Sequence, residues 1–133
     1  MTKQVLDVQQ MQHLQKLGMK LDYNTLFKYV KFEDSDWLLK PFSDLNIIGI
    51  SFKHIPAYTL QDVLNALPTT ILHDKRIYEL DINMCNESIE YVKTSVDDVL
   101  VGLRFTQLLL IDAAYSMLCW AIENGYVETN KNG

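Results

Sequence analysis

The two cysteines are the residues with the clearest capacity for chemistry, either as nucleophiles or as metal ligands. Cys119 lies in the most apolar stretch of the chain, "LLLIDAAYSMLCWAIENGY" (108–126), between a leucine and a tryptophan. A reactive thiol needs a neighbouring base or positive charge and access to solvent, so this setting favours a packed, unreactive side chain. Cys85 opens the turn "CNES", where the nearby Glu87 disfavours a thiolate. We therefore predict no catalytic cysteine.

The histidines and the acidic stretches offer no metal site. His13, His54 and His73 are far apart in the sequence and share no HxH or HxxxH spacing, so we interpret them as solvated side chains. The stretches "EDSD" (33–36) and "SVDDV" (95–99) lack the DxDxDG spacing of a calcium loop, and turn formation accounts for them. The sequence predicts neither a metal nor another cofactor.

Asp112 is the most unusual ionisable residue, because it interrupts an apolar helical pattern. A buried carboxylate must be paired or protonated, and groups with shifted pKa values are frequent in functional sites. We favour a structural interpretation, in which Asp112 and Ser116 form a half-exposed polar seam. An arginine such as Arg76 or Arg104 would then provide a structural ion pair. The alternative places Asp112 in a ligand pocket.

Composition and charge restrict the class of protein. The 133 residues are 48% apolar and 22% charged, with a formal net charge of −5, and no run of Lys or Arg exceeds two residues. A nucleic-acid-binding face needs clustered positive charge, which only a patch around Lys28, Lys31, Lys40 and Lys53 would supply. We therefore expect no nucleic-acid partner.

Several features favour a soluble, cytoplasmic protein. The apolar stretch 108–126 is too short and too interrupted to cross a membrane. The N-terminus lacks the apolar core of a signal peptide, and the two cysteines form no disulfide framework. The chain is therefore expected in the cytoplasm, without membrane association.

Local patterns predict helices at the beginning, middle and end of the chain. Asp7 is the expected N-cap of a first helix that ends before Gly18. A second helix, 59–67, begins with a capping box formed by Thr59 and Asp62. The third, 107–124, is apolar over most of its circumference, which indicates that it forms the centre of the core.

Alternating apolar and polar residues predict the strands. Segment 26–42 has the pattern of a hairpin, and 46–52 and 99–105 are further strand candidates. Segments 76–84 and 89–95 form a second hairpin, whose first strand directs Tyr78, Leu80, Ile82 and Met84 towards the core. We expect a two-layer α+β fold, in which one antiparallel sheet of four or five strands packs against helices 107–124 and 59–67. Residues 1–127 form one domain and 128–133 a polar disordered tail.

Two segments together resemble a family of proteins. The helix "IPAYTLQDVLNALP" and the later "LLLIDAAYSMLCWAIENGY", with "MQHLQKLG" near the N-terminus, are similar to a group of small α+β proteins of gut Bacteroidetes and their phages or mobile elements. No activity is assigned to that group. The resemblance implies an α+β fold and a mobile-element setting, and it implies no catalytic residues.

The sequence favours an interaction protein over an enzyme. Core-forming patterns are abundant, whereas no set of catalytic residues converges. We therefore predict a non-enzymatic interaction or accessory protein that binds a protein partner or associates with itself, for example as a homodimer. The alternative is a small-molecule-binding domain or small enzyme, with a pocket between the sheet and the helices that contains acids such as Asp112 or His54.

Overall fold

The computed structural model describes residues 3–33, 35–41, 53–93, 105–106 and 109–129. Along the chain these residues form three helices and seven strands. They are α1 (Val8–Lys16), β1 (Phe27–Lys31), β2 (Leu38–Pro41), β3 (Lys53–Ala57), α2 (Leu60–Ala66), β4 (Thr70–His73), β5 (Arg76–Asn83), β6 (Ser88–Lys93), β7 (Phe105–Thr106) and α3 (Leu110–Glu123). The predicted strand 46–52 and most of the predicted strand 99–105 lie outside the described residues.

The strands form two antiparallel sheets. The first has the order β2-β1-β3, and the second has the order β4-β5-β6 with the two-residue β7 at its far edge. The α+β class and the antiparallel pairing are therefore confirmed. The strands divide between two sheets, so the prediction of one sheet is wrong, although the second sheet has four strands when β7 is counted. Alternation along a strand reveals which side chains face the core, but it carries no information about which strands pair, so the division into two sheets had no local signal.

The first two helices begin as their sequences predict. The Asp7 carboxylate accepts a hydrogen bond from the Gln10 backbone N–H, and the Gln10 side chain accepts one from the Asp7 backbone N–H. Thr59 and Asp62 form the same reciprocal capping box at the start of α2. Gly18 has a φ of 97°, which is the left-handed conformation expected just after a helix. These caps fix where α1 and α2 enter the body of the protein.

Helix α3 lies at the centre of the hydrophobic core, as predicted. Eight of its side chains are buried, and it packs against α2 and the β6–β7 side of the second sheet. The same core cluster contains Ile55 of the first sheet and Tyr78, Ile89 and Tyr91 of the second. In the described ranges, every helix falls short of the length and apolar character that a bilayer crossing requires.

The β4–β5 hairpin departs from the sequence-based expectation. Strand β4 was not predicted, and Asp74 and Lys75 join it to β5 through a two-residue turn in which both have positive φ, at 50° and 65°. Tyr78 is buried and Leu80 and Ile82 are half-buried, as predicted, but Met84 lies in the following turn and is exposed. At the C-terminus, Thr129 pairs with Met19 in an isolated β-bridge, although the polar tail was predicted to begin at residue 128.

Candidate functional site

A cleft of about 350 Å³ opens between the segment after α1, helix α2 and the segment after α3. Volumes of roughly 300–1,000 Å³ are typical of small-molecule sites. The carboxylates of Asp22, Asp62 and Glu128 line it, and the only cation on its described wall is Lys20. The remaining lining residues are Met19, Thr25, Tyr58, Asn65, Ala66 and Val127. The wall therefore carries an excess of negative charge.

The polar groups of this cleft are already engaged in holding the fold. The Tyr58 hydroxyl accepts a hydrogen bond of 2.7 Å from the Asp22 backbone N–H. Burial, together with the nearby Asp22 and Asp62 charges, raises the pKa of Tyr58, although the hydrogen bond from Asp22 acts in the opposite direction. The Asp62 carboxylate caps α2 through Thr59. Tyr58 and Asp62 therefore both form hydrogen bonds that hold neighbouring segments of the fold at the wall of the cleft.

Asp112 has a structural partner that the sequence did not indicate. Its carboxylate lies 2.7 Å from the Lys3 ammonium and 3.0 Å from the Gln10 side-chain amide. Burial raises the pKa of Asp112, but the hydrogen bonds from Lys3 and Gln10 and the Lys3 charge outweigh burial and hold it below its ordinary value. The prediction of a half-exposed structural ion pair is therefore confirmed, whereas Arg76 as the partner is wrong. Arg104 lies outside the described residues.

The two cysteines lie in different surroundings. Cys119 is half-buried on α3. Burial and the charge of Glu123 raise the pKa of its thiol, and a hydrogen bond with Tyr115 only partly offsets this increase. Cys85 is exposed in the β5–β6 turn. Both thiols are free, as predicted. Because a raised pKa leaves less thiolate at neutral pH, its setting on α3 disfavours Cys119 as a nucleophile.

The three histidines have different neighbours. His13 faces Tyr115 on α3, and His54 packs edge-on against Tyr23 at a centroid distance of 5.3 Å. His73 belongs to a different region, at the end of β4. Among the residues that the structure describes, no group of three or more His, Cys, Asp or Glu side chains is arranged to hold a metal ion.

One side-chain cluster had no signal in the sequence. The His73 Nδ1 atom lies 2.6 Å from the Tyr126 hydroxyl, and Tyr126 stacks on Trp120 with ring centroids 5.4 Å apart. The cluster ties the segment after α3 to the end of β4. Its members come from a strand that was not predicted, from helix α3 and from the residues that follow this helix, so only the three-dimensional fold brings them together.

The four lysines of the nucleic-acid alternative do not share one face. In the register of the first sheet, Lys31 stands opposite Lys53, and Lys28 stands opposite Lys40. Positions 28 and 31 differ by an odd number, so the two pairs project from opposite faces of the sheet. Lys28 is also buried, with its ammonium 5.8 Å from the centre of the Tyr23 ring. These lysines therefore provide no single basic surface.

Among the residues that the structure describes, two exposed apolar side chains lie side by side on the β4–β5 hairpin. Leu72 and Ile77 stand directly opposite each other in the register, and they are 64% and 56% exposed. Thr70 and Glu79, also opposite each other and exposed, continue the same face. We call the surface formed by Thr70, Leu72, Ile77 and Glu79 the outer hairpin face. Its apolar residues occupy adjacent strands, so they form a patch rather than isolated exposed side chains.

Comparisons with protein families, curated proteins and solved structures found no match to this chain. The resemblance to the proteins of gut Bacteroidetes and their mobile elements therefore stays a prediction.

Proposed function

We propose that the protein is a non-enzymatic interaction protein that presents its outer hairpin face to a protein partner. The observation that carries the proposal is the exposure of Leu72 and Ile77 at directly paired positions. Single exposed apolar residues are ordinary on protein surfaces, whereas adjacent ones beside a strand edge are typical of interaction sites. The free cysteines support a cytoplasmic setting, and the sequence resemblance supports a mobile-element origin.

The position of the patch adds a second reason. In the described part of the chain, β4 pairs only with β5 and forms an edge of the second sheet. Proteins commonly protect such edges with charged residues, because an unprotected edge pairs readily with another strand. Here the edge carries Leu72 at its centre, which favours association.

A photo-cross-linking experiment tests this proposal. A photoreactive benzoylphenylalanine replaces Leu72 in one variant and Leu39 in the control, since Leu39 is also an exposed leucine in a strand but belongs to the other sheet. We expect irradiation in an extract of the native cells to give a discrete covalent adduct from position 72 and none from position 39. Equal labelling from both positions, or no adduct from position 72, would contradict the proposal.

A second candidate function is small-molecule binding in the cleft beside Tyr58. The observation that favours it is the cleft volume of about 350 Å³ with three carboxylates in its wall. The excess of negative charge favours a cationic ligand. A thermal-shift series with small amines, using carboxylates of equal size as controls, tests it. Stabilisation by amines that Ala66→Trp abolishes supports this function, and the absence of any shift rejects it.

A further inference from the structure

We propose that the partner at the outer hairpin face is a second copy of this chain, which joins edge to edge through β4 to make one continuous antiparallel sheet. This inference rests on the proposed function, because it assigns the occupant of the same surface. Three features of the hairpin support it: the direction of its backbone groups, the position of its apolar side chains and the separation of its charges.

The first feature is the direction in which β4 points its backbone hydrogen-bonding groups. The two-residue turn makes His73 and Arg76 a hydrogen-bonded pair, so the next opposed pair, Leu72 and Ile77, is a non-hydrogen-bonded pair. Thr70, which lies two residues further from the turn, also belongs to a non-hydrogen-bonded pair, with Glu79. In such positions the N–H and C=O groups point away from the neighbouring strand. The hydrogen bond at the neighbouring residue agrees with this alternation. The Thr69 carbonyl points towards β5 and accepts a hydrogen bond from the Leu80 backbone N–H, with 2.9 Å between oxygen and nitrogen.

These outward groups are complementary to those of a second copy. When two β4 strands meet antiparallel about a twofold axis at Ile71, Thr70 of the first copy stands opposite Leu72 of the second. By symmetry, Leu72 of the first copy stands opposite Thr70 of the second. Each of these two opposed pairs can exchange both of its backbone hydrogen bonds. An isologous contact of this kind closes on itself and produces a dimer rather than a fibre.

The same arrangement covers the exposed apolar side chains. Leu72 of each copy would lie beside Thr70 and diagonally across from Leu72 of the other copy, with Ile77 next to it on the adjacent strand. Two apolar side chains that water now contacts on each copy would form one patch across the junction. The contact is nevertheless smaller than the roughly 1,200–2,000 Å² of a stable interface, so the dimer should dissociate on dilution.

The charges of the hairpin favour the antiparallel orientation. Lys75 and Arg76 are exposed at the turn, whereas Glu79 and Asp81 are exposed further along β5. Asp74 also lies at the turn, where its carboxylate is 3.6 Å from the His73 ring nitrogen. In an antiparallel edge-to-edge pair, the turn of each hairpin lies beside the end of the other hairpin that is farthest from its turn. Lys75 and Arg76 of each copy therefore approach Glu79 and Asp81 of the other copy.

Light scattering combined with size-exclusion chromatography tests the inference on the purified chain of 133 residues. We expect the mass to rise from that of a monomer towards that of a dimer as the concentration increases over about 1–500 µM, as a weak interface requires. Leu72→Lys should remain a monomer throughout this range, while the matched control Leu39→Lys should behave like the wild type. Circular dichroism verifies that both variants fold. A wild-type monomer at every concentration, or equal effects of the two lysines, would overturn the inference.

Disulfide trapping tests the register itself. Thr70→Cys and Leu72→Cys are made separately in a Cys85→Ser background, which removes the exposed native thiol. The proposed register brings positions 70 and 72 of different copies to a Cα separation of about 5.5 Å, whereas identical positions stay beyond the reach of a disulfide. We expect mixing and oxidation to give at least tenfold more cross-linked heterodimer than either variant gives homodimer. No excess of heterodimer would reject this register.

The two proposals fail in different ways. If the purified chain stays monomeric but the photo-cross-linker at position 72 captures another protein, the second copy is not the partner and the interaction function stands. If position 72 gives no adduct of any kind, the interaction function itself is wrong.

Discussion

At the scale of single residues, the unusual side chains of this protein are occupied in holding the fold. Asp112 appears in the sequence as a carboxylate on an apolar helix, which often indicates a functional acid. In the structure it joins α3 to the N-terminal segment through Lys3 and to α1 through Gln10. Tyr91 is similar, because its buried hydroxyl donates a hydrogen bond of 2.7 Å to the Pro68 carbonyl. The contacts with Lys3 and Gln10 lower the pKa of Asp112, whereas burial alone raises the pKa of Tyr91.

The Asp112 contacts predict a specific dependence of stability on pH. The folded-state pKa of Asp112 is lowered, so its contribution is complete above the unfolded-state pKa of about 4 and is lost as the pH falls through the folded-state value. Asp112→Asn should therefore lower the free energy of unfolding by about 1 kcal/mol at pH 7. The difference from wild type should shrink as the pH falls below about 4.

Urea unfolding of the two proteins between pH 2.5 and 7 measures this difference. Glu123→Gln is the matched control, because it removes an equal charge from an exposed position on the same helix. It should leave the free energy of unfolding nearly unchanged. A loss in Asp112→Asn that is the same at every pH would indicate that the ion pair contributes nothing.

At the scale of elements, the sequence predicts what depends on neighbours along the chain. The capping boxes at Asp7 and Thr59 are recognisable because their partners lie three residues away. Strand β4 was missed since it has only four residues and its turn lacks the Asn-Gly signal of a tight hairpin. The Lys3–Asp112 pair was missed for a different reason, because its members are 109 positions apart.

The turn between β4 and β5 predicts a stabilising substitution. Lys75 has a φ of 65°, in the left-handed region, which costs a residue with a Cβ atom roughly 1–2 kcal/mol. Lys75→Gly removes this cost. Glycine loses more conformational freedom on folding than lysine does, which offsets part of the gain in stability. We expect a net gain of about 0.5–1 kcal/mol in the free energy of unfolding.

Urea denaturation at a concentration where the chain is monomeric measures the gain. Lys75→Ala serves as the control, since it removes the same charge but keeps the Cβ atom. If alanine stabilises as much as glycine, the gain comes from the lost charge, and the explanation by backbone conformation is wrong.

At the scale of the whole molecule, one core unites elements that local patterns treat separately. The sequence predicted the α+β class and the central position of the last helix, because both follow from hydrophobic patterns. It did not reveal the two sheets, the cleft beside Tyr58 or the outer hairpin face, because each of these depends on which segments meet. Ile55 of the first sheet belongs to the same cluster of buried side chains as Tyr78, Ile89 and Tyr91 of the second sheet and most of the buried residues of α3.

This shared core predicts that the two sheets unfold together. Trp37 lies beside the first sheet and Trp120 lies on α3, and both are half-buried against the core. Trp37→Phe and Trp120→Phe each leave one tryptophan as a fluorescent reporter, and the two reporters should give coincident urea transitions.

A substitution in the core extends this test. Met117→Ala, added to each variant, creates a cavity at a fully buried position and should lower the free energy of unfolding by about 2–5 kcal/mol, as measured by both reporters. Met84→Ala, at an exposed methionine, should shift neither transition. A Trp37 transition that stays in place while the Trp120 transition moves would show that the first sheet folds as a separate unit. The prediction of one domain over residues 1–127 would then be wrong.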